Sequence, residues 1–144
     1  MVVIGLNQLK NVTNIEVFNN TPLFKTLGFT IVEWGVDFVD LQIRHGNPYH
    51  AGSFGKNTAV GINGAVVTAA LESALGISGF IGFGCTPSGV VALDIKMMQI
   101  IRGQFSHVKA RIDRKTRTMI FASAHLYSER GGLCATASGI VAKG

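Results

Sequence analysis

One long apolar stretch constrains the fold of this chain more than any other feature. Residues 64–77 read GAVVTAALESALGI, and Glu72 is the only charged residue between Lys56 and Asp94. The apolar residues recur at helical spacing, which predicts one long helix over about residues 63–77 with a broad buried stripe. A lone carboxylate is costly to bury without a partner, so Glu72 calls for a functional reason. The predicted core positions are Val66, Val67, Ala70, Leu71, Ala74 and Leu75.

A second stripe on the same helix consists of small residues around the acid. They are Ala65, Thr68, Ala69, Glu72 and Gly76. Small side chains let another backbone come close, so this stripe is suited to packing against a second copy of the helix.

A membrane-spanning helix is the main alternative for this stretch. Against it, Glu72 would lie near the centre of the span and would cost about 2.5–3.5 kcal/mol there. Four glycines between residues 76 and 84 also interrupt the run, and strand patterns follow it. We therefore expect no membrane span. The segment Met1–Leu6 has no charged residue and too short an apolar run for a signal peptide.

The composition indicates a single domain whose surface is partly hidden in an oligomer. The chain has 144 residues, of which 47% are hydrophobic and only 15% are charged. This predicts a homodimer or a homotetramer. Cys85 and Cys134 form no disulfide framework, are expected to be buried thiols, and fit a cytoplasmic location.

The net charge of +5 is distributed unevenly along the chain. Residues 73–144 hold nine Lys and Arg against three acids, a net charge of +6. A basic half indicates an anionic partner, either the phosphates of a cofactor or nucleic acid, although a solvated basic face fits equally well. Aromatic residues do not alternate with the basic ones as a stacking platform would require, so no nucleic-acid partner is expected.

The rest of the chain predicts an antiparallel sheet. Residues 1–20 form an arm or a first helical turn, and a short helix follows Thr21, with Leu23, Phe24 and Leu27 docked on the core and Gly28 at its end. Alternating patterns predict six strands: Phe29–Trp34, Phe38–Arg44, Val90–Arg102, Phe105–Asp113, Met119–Ser128 and Leu133–Val141. The segments between them are predicted to be a long loop over 45–61, a Gly-rich strand plus a turn over Gly79–Pro87, and a charged turn over Asp113–Arg117. A sheet that must bury one apolar helix wraps around it, which gives an α+β domain.

Three features together carry a family resemblance. Asn57 lies six residues before Asn63, Gly64 follows at the start of the helix, and Glu72 lies eight residues after Gly64. With the strand order over residues 21–142, this spacing resembles the hotdog fold, and within it the phenylacetate-pathway-like acyl-CoA thioesterases of the 4-hydroxybenzoyl-CoA thioesterase superfamily. That family carries His-Gly-Gly at the helix start, so Asn63 replaces the histidine and Ala65 the second glycine.

The resemblance implies hydrolysis of an acyl-CoA or related thioester. The unpaired N–H of Gly64, at the positive end of the helix, would polarise the thioester carbonyl. Asn63 or Asn57 would supply a second hydrogen bond or hold water. Glu72 would act as general base or as nucleophile, and burial is expected to raise its pKa.

Helix geometry adds a constraint on this site. Eight residues of helix span about 12 Å, so one thioester carbon cannot lie within reach of both Gly64 and Glu72 of the same helix. The site therefore needs Gly64 from one subunit and Glu72 from another. The resemblance implies the same arrangement, with helices antiparallel across a dimer axis and two composite sites.

The remaining predicted site residues surround the substrate. Ala65 and Thr68 flank the helix N-terminus, and Ser88 or Thr86 could position water. Coenzyme A is expected as part of the substrate, with no other cofactor and no metal, and its phosphates would meet one or more of Arg102, Arg114, Lys115 and Arg117.

Other interpretations remain for each of these residues. Glu72 could be a buried structural acid, and Asn57 and Asn63 could serve only as turn and cap residues. His45 and His50 are expected to be structural loop residues. The alternatives for the whole protein are a hotdog protein that binds an acyl chain or acyl-CoA without turnover, and a hotdog hydratase or dehydratase.

Overall fold

The computed structural model of the chain describes residues 15–51 and 61–144. Six strands form one antiparallel sheet in the order β1-β2-β4-β5-β6-β3, and a long helix packs on one face of it. This confirms the predicted α+β arrangement of one helix held by one sheet. The elements are α1 (Pro22–Leu27), β1 (Phe29–Trp34), β2 (Phe38–Arg44), a 3-10 turn (Pro48–His50), α2 (Gly64–Gly82), β3 (Ser88–Met97), β4 (Phe105–Lys115), β5 (Met119–Ser128) and β6 (Leu133–Lys143).

Helix α1 begins and ends where the sequence predicts. The side chain of Thr21 accepts a hydrogen bond from the N–H of Phe24, and Gly28 ends the helix in the left-handed conformation with φ 74°. Phe24 is buried, but Leu23 is 53% exposed, so the prediction that Leu23 docks on the core is wrong. Neighbouring residues of a helix point in different directions, and in this short helix only one face meets the core.

The core lies between α2 and the sheet. Val39, Leu41 and Ile43 of β2 are fully buried and alternate with half-buried or exposed residues. All six core positions predicted on the helix, from Val66 to Leu75, are buried as well. Period-two burial on the strands and helical burial on α2 thus meet in one continuous core.

Helix α2 is longer than the sequence predicts. It begins at Gly64 and runs to Gly82 rather than ending near residue 77, so the prediction of a strand or turn from Gly79 is wrong. A β-carbon on Gly79 would lie 2.5 Å from Cγ1 of Val141, and one on Gly82 would lie 2.6 Å from the terminal methyl groups of two isoleucines. These glycines let the helix approach the sheet, and this packing outweighs their poor helix propensity.

Four strand boundaries also differ from the prediction, and the first is the start of β3, which lies at Ser88 rather than Val90. Strand β3 ends at Met97, because the N–H groups of Met98 and Gln99 both donate to the carbonyl of Cys134 and the chain leaves the ladder. Strand β4 continues to Lys115 through a bulge after Ile112, so part of the predicted charged turn is strand. Strand β6 likewise continues to Lys143, paired with the start of β3.

Strand β3 forms an edge of the sheet and bonds to β6 alone. It carries exposed apolar side chains at Val91, Leu93 and Met97, and a bulge lies between Val90 and Ala92. An edge with unpaired backbone groups and apolar side chains is open to pairing with another chain.

Within the described residues, α2 is the one helix that is long and apolar enough to cross a membrane. In this structure 61% of its apolar window is buried inside the domain. Cys134 is buried and Cys85 is half-buried, so the prediction of a buried thiol holds for Cys134 only.

Gly79→Ala is expected to lower the free energy of unfolding by about 1–3 kcal/mol, because the added methyl group meets the branched side chain of Val141 at its base. Gly82→Ala is the matched control. Its methyl group meets only the flexible ends of Ile112 and Ile120, so a smaller loss is expected. Urea unfolding measures the free energy of unfolding of both variants. Equal values for Gly79→Ala and Gly82→Ala would show that close packing does not require Gly79.

Candidate functional site

The N-terminus of α2 is fixed by Asn63, whose side chain uses both ends of its amide. The Oδ1 atom accepts a hydrogen bond from the N–H of Val66 at 2.9 Å, which caps the helix. The Nδ2 group donates to the carbonyls of Tyr49 at 2.9 Å and Ala51 at 2.8 Å. Asn63 therefore joins the helix start to the preceding loop, and these three bonds occupy the amide that we expected to face substrate or water.

Gly64, the first residue of the helix, is exposed and has no side chain. Its N–H and that of Ala65 bond to no other described residue. The side chain of Met97 lies next to it, with Sδ and Cε both 3.5 Å from the position that a β-carbon of Gly64 would occupy. The helix thus presents, at its positive end and beside an apolar side chain from β3, two N–H donors that have no partner among the described residues.

A short strap over residues 45–51 runs beside this helix end, and side-chain bonds hold it in place. Asn47 donates to the carbonyl of Thr26 at 2.5 Å and accepts from the N–H of Tyr49 at 2.9 Å. His50 is buried, and its Nε2 group donates to the carbonyl of Leu27 at 2.7 Å. The sequence predicts only a loop over this strap, and the signal for its turn is Asn-Pro at residues 47–48.

His45 connects the strap to β4. Its Nδ1 atom lies 2.8 Å from the carbonyl oxygen of Gly103, and its Nε2 atom lies 2.9 Å from Oγ of the fully buried Ser106. Burial lowers the pKa of His45, and the neighbouring His50 acts in the same direction, so the neutral ring is favoured. These contacts fit the structural loop role predicted for both histidines.

Glu72 lies two turns into the helix, on the side of the small-residue stripe. Its side chain is exposed in the single chain and makes no hydrogen bond or ion pair with another described residue. The carboxylate leans towards Gly76, with Oε1 3.9 Å from the position of a β-carbon there. Partial burial raises the pKa of Glu72 through desolvation, in the direction that the sequence predicts for a base.

Gly64 and Glu72 do not meet within one protomer. Both lie on the same unbroken helix, so about 12 Å separates their backbones. In the single chain, Gly64 and Glu72 therefore mark two separate regions of α2, which we call the Gly64 half-site and the Glu72 half-site.

Two cavities adjoin the N-terminus of α2 and share Ile62 and Ile101 as a wall. The larger has a volume of about 600 Å³ and a polar side formed by His45, Asn47, His50 and Arg102. The smaller has a volume of about 370 Å³ and reaches Gly64. It is lined by Ile62, Gly64, Val67, Met97, Met98, Gln99, Ile100, Ile101, Cys134 and Ala135.

The four candidate phosphate ligands lie at opposite ends of α2. Arg102 lines the larger cavity, at the same end as Gly64. Lys115 lies at the other end, where its Nζ group donates to the carbonyl of Gly82 at 2.6 Å. Arg114 and Arg117 are on or beside the same β4–β5 turn. Because the helix is about 27 Å long, only Arg102 is near the Gly64 half-site of its own chain.

The structure also shows the positions of the hydroxyl residues that were predicted near the substrate, Thr68, Thr86 and Ser88. The hydroxyl of Thr68 donates back to the carbonyl of Gly64 at 2.8 Å, and that of Thr86 donates to the carbonyl of Phe83 at 2.8 Å. The Oγ atom of Ser88 is buried and has no partner among the described residues, at the start of β3 and outside both cavities.

Asn57 lies outside the described residues. Within residues 15–51 and 61–144, no three His, Cys, Asp or Glu side chains are placed to hold a metal ion.

Solved structures of other proteins share this architecture. A protein from Shewanella oneidensis related to the thioesterase superfamily superposes with a TM-score of 0.82 at 17% identity, covering 99% of this chain and 100% of that chain. A thioesterase family protein from Silicibacter pomeroyi gives a TM-score of 0.78 at 20% identity, over 93% of this chain and 96% of that one. The E. coli PaaI protein from the phenylacetic acid degradation operon gives 0.75 at 11% identity, over 95% and 93%.

These structures show that the chain has the hotdog fold, with its sheet around a central helix. At identities of 11–20% the likeness concerns the fold and not the activity. No protein-family model matches the sequence, and no curated protein sequence matches it either.

Asn63→Ala is expected to lower the free energy of unfolding by more than Asn63→Ser. Serine keeps an oxygen to cap the helix and loses only the bonds to Tyr49 and Ala51, whereas alanine also loses the cap, which is worth about 0.5–2 kcal/mol. Urea unfolding of both variants measures the separate parts. Equal losses would mean that the cap to Val66 contributes nothing beyond the loop bonds.

Glu72→Gln is expected to increase stability at neutral pH. Burial raises the pKa of Glu72 above its ordinary value of 4.5, so the folded state binds this proton more tightly than the unfolded state does. That contribution favours folding below the unfolded pKa and is lost as pH rises through the folded pKa. The gain from the glutamine should therefore grow in urea unfolding as pH rises from the unfolded pKa through the raised folded pKa. Asp94→Asn, an exposed acid on β3, controls for loss of one negative charge, and an equal gain there would contradict the assignment.

Proposed function

From a hotdog fold shared with thioesterase-superfamily structures, we propose that this protein hydrolyses acyl-CoA or related thioesters at sites composed by two subunits. The N–H of Gly64 in one subunit polarises the thioester carbonyl. Glu72 of the other subunit activates the attacking water or attacks the carbon itself. The observation that carries this proposal is the Gly64 N–H, which has no partner among residues 15–51 and 61–144 and lies at the start of a long helix capped by Asn63.

The helix terminus supports the electrophilic half of the reaction. A thioester carbonyl gains negative charge on its oxygen as the tetrahedral intermediate forms, and fixed N–H donors stabilise that charge without reorganising. The bonds of Asn63 to Val66, Tyr49 and Ala51 keep the helix start rigid. Asn63 therefore supports the donor as a positioning residue, where the resembling family has a histidine.

The environment of Glu72 supports the other half. It is the one charged residue of α2, and partial burial raises its pKa, which makes the carboxylate a stronger base towards water. Its exposure in the single chain, on a stripe of small residues, leaves it accessible to a second helix.

Two features support the assembly that this chemistry requires. The backbone of edge strand β3 is unpaired on one side, and Val91, Leu93 and Met97 are exposed along it. A symmetric dimer that paired two such edges and laid the helices antiparallel would use both surfaces and form two sites at once. A dimer of such dimers remains part of the proposal, as does a cytoplasmic location.

The larger cavity supports coenzyme A as the group that carries the acyl chain in the substrate. Its polar side holds Arg102, which would meet a phosphate of coenzyme A. In the proposed dimer, the partner's Arg114, the partner's Lys115 and the partner's Arg117 would be the other candidate phosphate ligands. Coenzyme A thus enters as part of the substrate. A hotdog protein that binds acyl-CoA without turnover is the alternative, and saturable binding without release of thiol would decide for it.

Two complementary variants test the composite site. Gly64→Pro removes the proposed donor, and proline is tolerated at the first helical position because Asn63 already has the extended backbone it requires, with φ −68° and ψ 157°. Release of free thiol from acyl-CoAs should fall by about 10²–10³-fold. Gly64→Ala keeps the N–H and is the matched control. Glu72→Gln should lose about 10²-fold or more.

Mixing the two inactive variants should restore activity. Co-expressed Gly64→Pro and Glu72→Gln chains form mixed dimers in which one of the two sites has both groups intact, so about one quarter of wild-type activity is expected. If Gly64 and Glu72 acted within one chain, mixing would restore nothing. If the wild-type protein releases no thiol from any acyl-CoA tested, the proposed function is wrong.

A further inference from the structure

We propose that the smaller cavity binds the acyl group, that it accepts a hydrocarbon chain free of charged and hydroxyl groups, and that Met97 sets the chain length. This inference rests on the proposed function, since it names the class of substrate that the Gly64 half-site takes. The smaller cavity has a volume of about 370 Å³, which lies in the range of small-ligand pockets, roughly 300–1,000 Å³.

The cavity wall is apolar apart from one amide. Isoleucine, valine and methionine side chains from the helix start, β3 and the following loop form most of it, and Cys134 and Ala135 of β6 close it. Among the described residues that line it, Gln99 has the one amide side chain and none is charged. A carboxylate or hydroxyl group moved into such a wall would lose its water without gaining a partner, at a cost of several kcal/mol for a charge.

The position of the cavity identifies which part of the substrate enters it. Gly64 lies on its wall, so a carbonyl oxygen bonded to the Gly64 N–H would have one substituent directed into the cavity. The polar cavity with Arg102 lies on the other side of Ile62 and Ile101. A thioester has one apolar arm and one polar, phosphate-bearing arm, and the two neighbouring cavities match them in that order.

Met97 is the residue best placed to limit the chain length. Its sulfur and terminal methyl group lie 3.5 Å from the β-carbon position of Gly64, next to the atom that would hold the carbonyl. The side chain is unbranched and 51% exposed, so it can move without disturbing the core. A smaller residue at position 97 would enlarge the cavity and leave room for a longer chain, and a larger rigid one would reduce its volume.

A chain-length series tests this inference. Free-thiol release is measured with butanoyl-, hexanoyl-, octanoyl- and decanoyl-CoA, and with succinyl-CoA as the charged probe, on the purified full-length protein. Met97→Ala should shift the ratio of decanoyl to butanoyl kcat/KM upward by about tenfold or more, and Met97→Phe should shift it downward. Met98→Ala tests a second residue that lines the same cavity. Met119→Ala, an exposed methionine on β5 outside the cavity, should leave the profile unchanged.

The outcomes separate this inference from the proposed function. If the wild type and both Met97 variants turn over thioesters with the same chain-length profile, the inference is overturned and the proposed hydrolase activity stands. The same holds if succinyl-CoA is turned over as fast as butanoyl-CoA. Binding of S-octyl coenzyme A, a thioether that cannot be hydrolysed, is measured by calorimetry for each variant. If no thioester is turned over but this binding still depends on residue 97, the hydrolase fails and the acyl cavity stands.

A second copy of the chain is the other possible occupant, because Met97 lies on the open edge strand. Light scattering on the same variants distinguishes it. A changed molecular mass in Met97→Ala with no change in chain-length preference would show that the cavity is filled by the partner subunit, and would overturn the inference.

Discussion

The close packing of α2 on the sheet is the contact on which the rest of the structure depends. Gly79 brings the helix backbone against Val141, and the stripe from Val66 to Leu75 fills the space along the rest of its length. With one side of the helix fixed in this way, the opposite side must carry the small residues and Glu72. The direction of the helix also aims the Gly64 end at the loop after β3, where both cavities lie.

Much of this architecture could be predicted from the sequence because period-two and helical patterns are strong here. The strands Phe29–Trp34, Phe38–Arg44 and Met119–Ser128 were predicted to the residue, and the core stripe of the helix was predicted in full. The helix end was missed because glycines at 79 and 82 have poor local propensity, while their benefit comes from residues of β4, β5 and β6 that are far away in sequence.

The candidate site was predicted less completely, for a related reason. The family resemblance predicted Gly64 and Glu72 as site residues, and helix geometry led to the proposal that they come from different subunits. The roles of Asn47, His50 and Met97 depend on contacts between distant segments, which no local pattern records. Asn63 was expected at the substrate, yet its donors are taken by Tyr49 and Ala51, because the chain folds the strap against the helix start.

The two ends of α2 are stabilised by different means, and this has a consequence for how the domain folds. Its N-terminal end is capped by Asn63, its immediate neighbour in sequence, whereas its C-terminal turn has no basic residue of its own and receives the ammonium group of Lys115 from β4. The first half of the helix can therefore form early from local interactions, while the glycine-rich second half gains its partners only when the β4–β5 hairpin docks. Completion of this helix and closure of the sheet should then occur as one cooperative step in folding.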